Sequence, residues 1–166
     1  MKKLCMLVAL LAFAVGGYAQ DEDITTFYFI RHAEKDRTDP ENRDPYLTEA
    51  GRQRAKKWAS TFRSTTFDAV YSTKYRRTME TARPTAENND LEIKIYDPKH
   101  IDAASFAKEN AGKTILVVGH SNTTPMFVNQ ILGEKKFEAM DDNDNASLFV
   151  LIMADKKLKV TRLHIE

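Results

Sequence analysis

The run Thr26-Phe27-Tyr28-Phe29-Ile30 constrains this chain most. It is rich in β-formers and leaves no polar face, so a strand made from it has to be covered on both sides. Thr114-Ile115-Leu116-Val117-Val118 is a second run with the same demand. Around them, short strand-like stretches alternate with helical ones. Thr48 opens a helix with Glu49 in its first turn and Ala50, Trp58, Ala59 and Phe62 at intervals that form one apolar face. Residues 68–72 read as a strand, followed by a helix through Arg77 and Thr81 to about Asn88, with Pro84 opposing a regular interior. Residues 91–96 alternate with period two up to Asp97-Pro98, residues 103–110 and 123–132 read as helices, and residues 141–145 as a loop. Residues 148–153 and 158–164 form a closing hairpin around Asp155-Lys156-Lys157. This order predicts one α/β domain, a three-layer α/β/α sandwich with a mostly parallel central sheet.

Residues 1–19 stand apart from the other residues of the 166-residue chain. They hold Lys2, Lys3, the single cysteine Cys5 and no acidic residue, and residues 4–15 are an apolar run. A positive start, an apolar core of that length and Gly17-Tyr18-Ala19 as a small-x-small site match a cleaved secretory signal peptide. Asp21-Glu22-Asp23 end the run short of the roughly 20 residues that a membrane span needs. The expectation is cleavage after Ala19, leaving residues 20–166 as an exported domain, periplasmic or secreted, with no stable membrane insertion. That domain keeps all 24 acidic residues and 23 of the 25 basic ones, so it has no global basic field to gather nucleic acid. Without Cys5 it also has no disulfide framework, thiolate zinc site or thiol nucleophile.

In an open α/β sheet, ligands bind past the carboxyl ends of the strands. Four groups fall there: Arg31-His32, Ser72-Thr73 with the helix carrying Arg77, Asp97, and Gly119-His120-Ser121-Asn122. Two histidines and two arginines on one rim suit phosphoryl transfer. Planar guanidinium groups clamp phosphoryl oxygens bidentately. The transferred group needs positioning and charge neutralisation above all, so arginines can take the place of a metal. A neutral imidazole, with an unperturbed pKa of about 6.5, attacks phosphorus and holds it until water arrives. Nearby arginine charge disfavours the imidazolium.

These residues carry a resemblance. Arg31-His32-Ala33-Glu34, Leu47-Thr48-Glu49-Ala50-Gly51-Arg52-Gln53-Arg54-Ala55, Phe67-Asp68-Ala69-Val70-Tyr71-Ser72-Thr73 with Arg77 and Thr81-Ala82, and Val118-Gly119-His120-Ser121-Asn122 are similar, in order, to the signatures of the histidine phosphatase (phosphoglycerate mutase-like) superfamily. The likeness runs from Phe27 to Asn122 and is closest to the short phosphohistidine phosphatase-like members. It implies that His32 is the nucleophile, that Arg31 and Arg77 hold the phosphoryl oxygens, and that His120 donates a hydrogen bond to the same group. It implies that Asn122 and the backbone after His120 line the pocket, and that neither a metal nor a cofactor is needed. The family often places a further phosphate contact in the loop that holds Arg37 and Arg43, and spacing does not choose between them.

One departure concerns the general acid. Larger branch members carry a Leu-x-Glu-x-x-x-Gly segment after the third strand, which this chain lacks. Asp97, which ends a strand, or Asp102 is the alternative proton donor; each has an ordinary reading as turn residue or helix cap. A chain with no acid would favour good leaving groups such as phosphohistidine or an acidic alcohol. The expected activity is metal-independent hydrolysis of a small phosphate monoester or of a phosphoprotein side chain. The alternatives are a phosphoglycerate mutase-type transfer and a catalytically silent phosphate-binding module on the same fold. Ala107 to Thr114 satisfies a relaxed Walker A pattern in reversed context, closing a helix and opening a strand, and Gly112 reads as a helix cap. Asp141-Asp142-Asn143-Asp144-Asn145 lacks the glycine and terminal glutamate of a calcium loop and reads as solvated. Lys35-Asp36-Arg37 reads as solvated charge, and His100 and His164 as structural.

Overall fold

A computed structural model of the chain describes residues 24–154 and 157–166. Residues 1–23, which include the stretch read as a signal peptide, and Asp155-Lys156 lie outside the described residues. The elements run in the order β1 (Thr25–Arg31), α1 (Glu49–Thr61), β2 (Ala69–Ser72), α2 (Arg76–Glu87), β3 (Ile93–Ile95), α3 (Ala103–Glu109), β4 (Thr114–Gly119), α4 (Thr123–Leu132), β5 (Ser147–Ala154) and β6 (Lys157–His164). They form one six-stranded sheet in the order β3-β2-β4-β1-β5-β6. The pairs β1 with β4, β4 with β2 and β2 with β3 are parallel, whereas β5 runs antiparallel to both β1 and β6.

The two unbroken apolar strands behave as their composition demands. Phe27 and Phe29 of β1 and Ile115 and Val117 of β4 pack on one face with Phe106 of α3 and Phe127 and Val128 of α4. Ile30, Leu116 and Val118 pack on the other with Trp58 of α1, Phe62, and Ala82 and Ala86 of α2. Successive side chains feed opposite cores, which makes the architecture three layers deep. β6 is largely exposed, and its Lys157, Lys159 and Arg162 place charge along this edge of the sheet.

Local chemistry sets the ends of the elements. The Thr48 hydroxyl accepts from the Gly51 amide at 3.0 Å, capping α1, and Asp102 caps α3 by accepting from the amides of Ala104 and Ser105. Helix α2 continues through Pro84, whose missing N–H leaves the Glu80 carbonyl without its usual helical donor. β3 is shorter than the alternation of residues 91–96 predicts. The Leu91 amide turns back to the Ala86 carbonyl at 3.0 Å, residues 93–95 pair in register with the single neighbouring strand, and the Tyr96 amide adds a last bond to the Ser72 carbonyl at 3.0 Å. Gly112 takes φ +72° in the turn between α3 and β4, so the Walker-like segment does close a helix and open a strand. Gly51 fixes the loop after β1: a Cβ there would lie 2.2 Å from the Glu34 carbonyl oxygen, so only glycine lets α1 sit this close.

Candidate active site

The carboxyl ends of β1 and β4 lie side by side, with Arg31 opposite Gly119. The His32 amide extends the ladder by donating to the Gly119 carbonyl at 2.9 Å. The strands therefore deliver His32 and His120 together, with ring centroids 5.4 Å apart at 67°. From the neighbouring strand β2 the chain passes Thr73 and enters α2, which brings Arg77 Nη2 to 3.4 Å from His120 Nδ1. Tyr75 braces this corner, its ring 4.4 Å beneath the Arg77 guanidinium and 5.0 Å edge-on from the His120 ring. The structure thus brings together Arg31, His32, Arg77 and His120.

His32 is held from both sides and is 3% exposed. Its Nδ1 lies 2.8 Å from the Ala33 carbonyl oxygen. A carbonyl only accepts, so Nδ1 carries the proton and Nε2 keeps its lone pair. Asn145 donates to the His32 carbonyl at 2.8 Å, and the Ala33 amide donates to Thr81 at 2.9 Å. Burial pushes the His32 pKa down to about 3, against the Ala33 bond and with help from Arg31, His120 and Arg77. Burial, Arg77, Arg31 and Lys35 push His120 down to about 4. Both imidazoles are neutral near pH 7.

Each arginine is positioned through its terminal nitrogens. Arg31 Nη1 donates to the carbonyls of Asp141 at 2.9 Å and Asp144 at 3.2 Å, and Nη2 donates to the Asp142 carboxylate at 2.7 Å. Arg77 Nη1 donates to the Arg43 carbonyl at 3.2 Å. In both residues Nε is buried and has no partner among the described residues. Buried donors of a cation are costly to leave unpaired, and an anion satisfies them well. Desolvation by burial lowers the pKa of both guanidinium groups, yet a guanidinium remains charged in a protein. No group of three or more His, Cys, Asp or Glu side chains among the described residues is arranged to hold a metal ion.

The other candidates make different contacts. Asp97 accepts from the Lys99 amide and pairs with His100, sharing no hydrogen bond or ion pair with the four central residues. Asp102 is the α3 cap. Asn122 caps α4 through the Thr123 amide at 2.9 Å, and its side chain is exposed. Arg37 binds the carboxylate and carbonyl of Asp142, which also binds Arg31, whereas Arg43 contributes its carbonyl. Two sequence readings need correction. Residues 141–145 are the seat of Arg31 and the clamp on His32 rather than simply a solvated loop, because a guanidinium buried beside β1 takes its acceptors from whichever chain lies next to it. Arg37 is likewise paired and not merely solvated. Sequence reasoning also missed Thr73 as the partner of His120 and Tyr75 as the brace; the place of both right after a strand end was the available signal.

Comparison with known proteins agrees with this geometry. The model of the histidine phosphatase superfamily (branch 1) matches residues 27–98. No curated protein matches the chain by sequence. Among solved structures, a phosphoserine phosphatase variant from Entamoeba histolytica bound to phosphoserine is 18% identical, with TM-score 0.63, over 82% of this chain and 95% of that one. The candidate phosphohistidine phosphatase SixA of Agrobacterium tumefaciens is 21% identical, with TM-score 0.59, over 84% and 97%. A phosphoglycerate mutase from Bacillus anthracis is 16% identical, with TM-score 0.63, over 86% and 94%. The Arg31-His32 pair thus lies inside a segment similar to the histidine phosphatase superfamily (branch 1), and the chain shares the fold of these solved structures.

Proposed function

We propose that this protein is a metal-independent phosphatase that hydrolyses small phosphate monoesters or a phosphorylated protein side chain through a phosphohistidine at His32. One observation carries the reading: a neutral imidazole with a free Nε2 lone pair lies beside two buried guanidinium groups, each with an unpartnered Nε–H. The phosphoryl group docks against those donors. The Nε2 lone pair forms the N–P bond as the P–O bond to the leaving group breaks, and the leaving oxygen takes a proton. The ring becomes cationic, and its Nδ1–H bond to the Ala33 carbonyl strengthens at that moment, as a catalytic interaction should. Water then cleaves the N–P bond, releasing phosphate and restoring neutral His32. Phosphatases among proteins of the same fold support this reading. The export expectation extends it: residues 1–19 are removed, and intact mass of protein recovered from the periplasm or medium checks that.

The test is phosphate release from p-nitrophenyl phosphate with a chelator present. The native protein should turn over, and His32→Ala should lose about 10³-fold or more. An unchanged His32→Ala rate would overturn the nucleophile, and loss of native activity with chelator would overturn the metal-free route.

A further inference from the structure

His120 Nε2 lies 2.9 Å from Thr73 Oγ1, and Thr73 Oγ1 lies 2.9 Å from Thr78 Oγ1. Thr78 Oγ1 in turn is 2.9 Å from both the Thr73 and the Tyr75 carbonyl oxygens. Both threonines are essentially without solvent contact, so water does not compete for these bonds. The protons in this chain can be assigned one by one. A carbonyl cannot donate, so the Thr78 hydroxyl proton goes to a carbonyl and its oxygen must accept from Thr73. The Thr73 proton is then committed, so Thr73 must accept from His120 Nε2–H. Neutral His120 consequently carries its proton on Nε2, and its Nδ1 is a lone pair facing the Arg77 Nη2 donor.

A lone pair at Nδ1 repels a phosphoryl oxygen. We propose that Thr73 and Thr78 are positioning residues that pin His120 as the Nε2–H tautomer, so that Nδ1 gains a proton only when an anion docks and then delivers it to the leaving oxygen. The charged groups acting on His120 are Arg31 beside His32, Lys35 in the loop after β1, and Arg77 on α2, while the Tyr75 ring packs edge-on against it. All these charges are positive and act with burial to keep His120 neutral, and a phosphoryl group is the negative charge that reverses the balance. On docking, Nδ1 takes a proton from solvent or from the phosphate monoanion. As the P–O bond breaks, the Nδ1–H bond breaks too: the proton moves to the leaving oxygen, the electron pair returns to Nδ1, and His120 is neutral again. The Nε2–H···Thr73 bond persists throughout. This assigns the proton that neither Asp97 nor Asp102 is placed to give, and it rests on the phosphatase reading above.

Ring-nitrogen NMR on the 15N-histidine-labelled protein tests it, with inorganic sulfate as the probe because sulfate carries no proton of its own near neutrality. Free protein at pH 7 should show His120 protonated on Nε2 alone, and saturating sulfate at pH 6 should protonate Nδ1 as well. Thr73→Val should yield a mixture of tautomers, and Thr73→Ser should restore the single one. In turnover, Thr73→Val should lower kcat on ethyl phosphate about 10–100-fold but on p-nitrophenyl phosphate, whose leaving group needs no proton, less than about threefold. An Nδ1–H tautomer in the free protein, sulfate binding without a second ring proton, or equal losses on both substrates would each overturn the proposal. If Thr73→Val fails to fold, the native spectra alone decide it. Absence of any sulfate binding would count against the phosphatase reading, while the tautomer of free His120 still judges the relay.

Discussion

Past the carboxyl ends of β1 and β4 the chain places His32 and His120 beside Arg31 and Arg77; past the end of β3 it places His100 beside Asp97. The two regions have the same ingredients, a histidine and a charged neighbour at a strand end, and opposite physical states. At the first, neighbouring strands in the sheet interior end together, so the groups bury one another and their remaining donors have no partners. At the second, a three-residue edge strand ends in water, where the Asp97 carboxylate meets His100 Nδ1 at 2.8 Å and the Lys99 amide at 2.9 Å. Side-chain exposures of 58% for Asp97 and 81% for His100 leave that pair nothing to ask of a ligand. A strand end is therefore only an address. Burial with unmet hydrogen-bonding capacity turns it into a site.

The contrast should break most visibly at Arg77. Arg77→Ala removes a buried cationic donor and the group next to His120 Nδ1, and kcat/KM on p-nitrophenyl phosphate should fall about 10³-fold, near 4 kcal/mol. Arg77→Lys should recover little of it, since an ammonium cannot present Nε and Nη donors in one plane.

Next in size is the response of folding to acid. The folded pKa of His32 is depressed to about 3 from 6.5, so the native state binds fewer protons than the unfolded chain between those values. Stability is complete well above pH 6.5 and falls as the pH drops toward 3, approaching about 1.4 kcal/mol per unit for this group between the two values. Urea denaturation at pH 6.5 and 4.5 should therefore show the native protein losing about 2.3 kcal/mol more than His32→Asn. An equal loss in the two would mean that His32 is not held neutral by burial.

Asp142 gives a smaller effect of the opposite sign. Its carboxylate partly cancels Arg31 and Arg37, while Arg31 stays seated on two carbonyls. Asp142→Asn should make inorganic phosphate a stronger competitive inhibitor by about fivefold, a modest change because the carboxylate is well exposed.

What was legible in the sequence follows the same division. The apolar runs at residues 26–30 and 114–118 specified the layers, since an all-apolar strand has one kind of home, and a strand end beside each located Arg31-His32 and His120. Closure from a distance was not legible. Asp141, Asp142 and Asn145 are more than 100 positions from the residues they hold, and a run of five Asp and Asn side chains reads as solvated until the fold lays it over Arg31. Thr73 was visible only as a neighbour of a strand end, because a threonine's role in a relay depends on which acceptors its hydroxyl finds.

The smallest expected effect tests the comparison most sharply. Asp97→Asn keeps the shape and the acceptor for the Lys99 amide and removes only the charge facing His100. If the end of β3 is merely a turn, kcat and KM should both stay within about twofold, and the urea midpoint should not move, as for other exposed pairs. Ethyl phosphate is the substrate to use, since a leaving group that needs a proton exposes any general acid. A fall of about tenfold or more on ethyl phosphate, absent on p-nitrophenyl phosphate, would bring Asp97 into the reaction. Because Asp97 pairs with His100 and the Lys99 amide in the free protein, such a result would also require residues 97–102 to close over the site when substrate binds, and the two strand ends would then be one site rather than two.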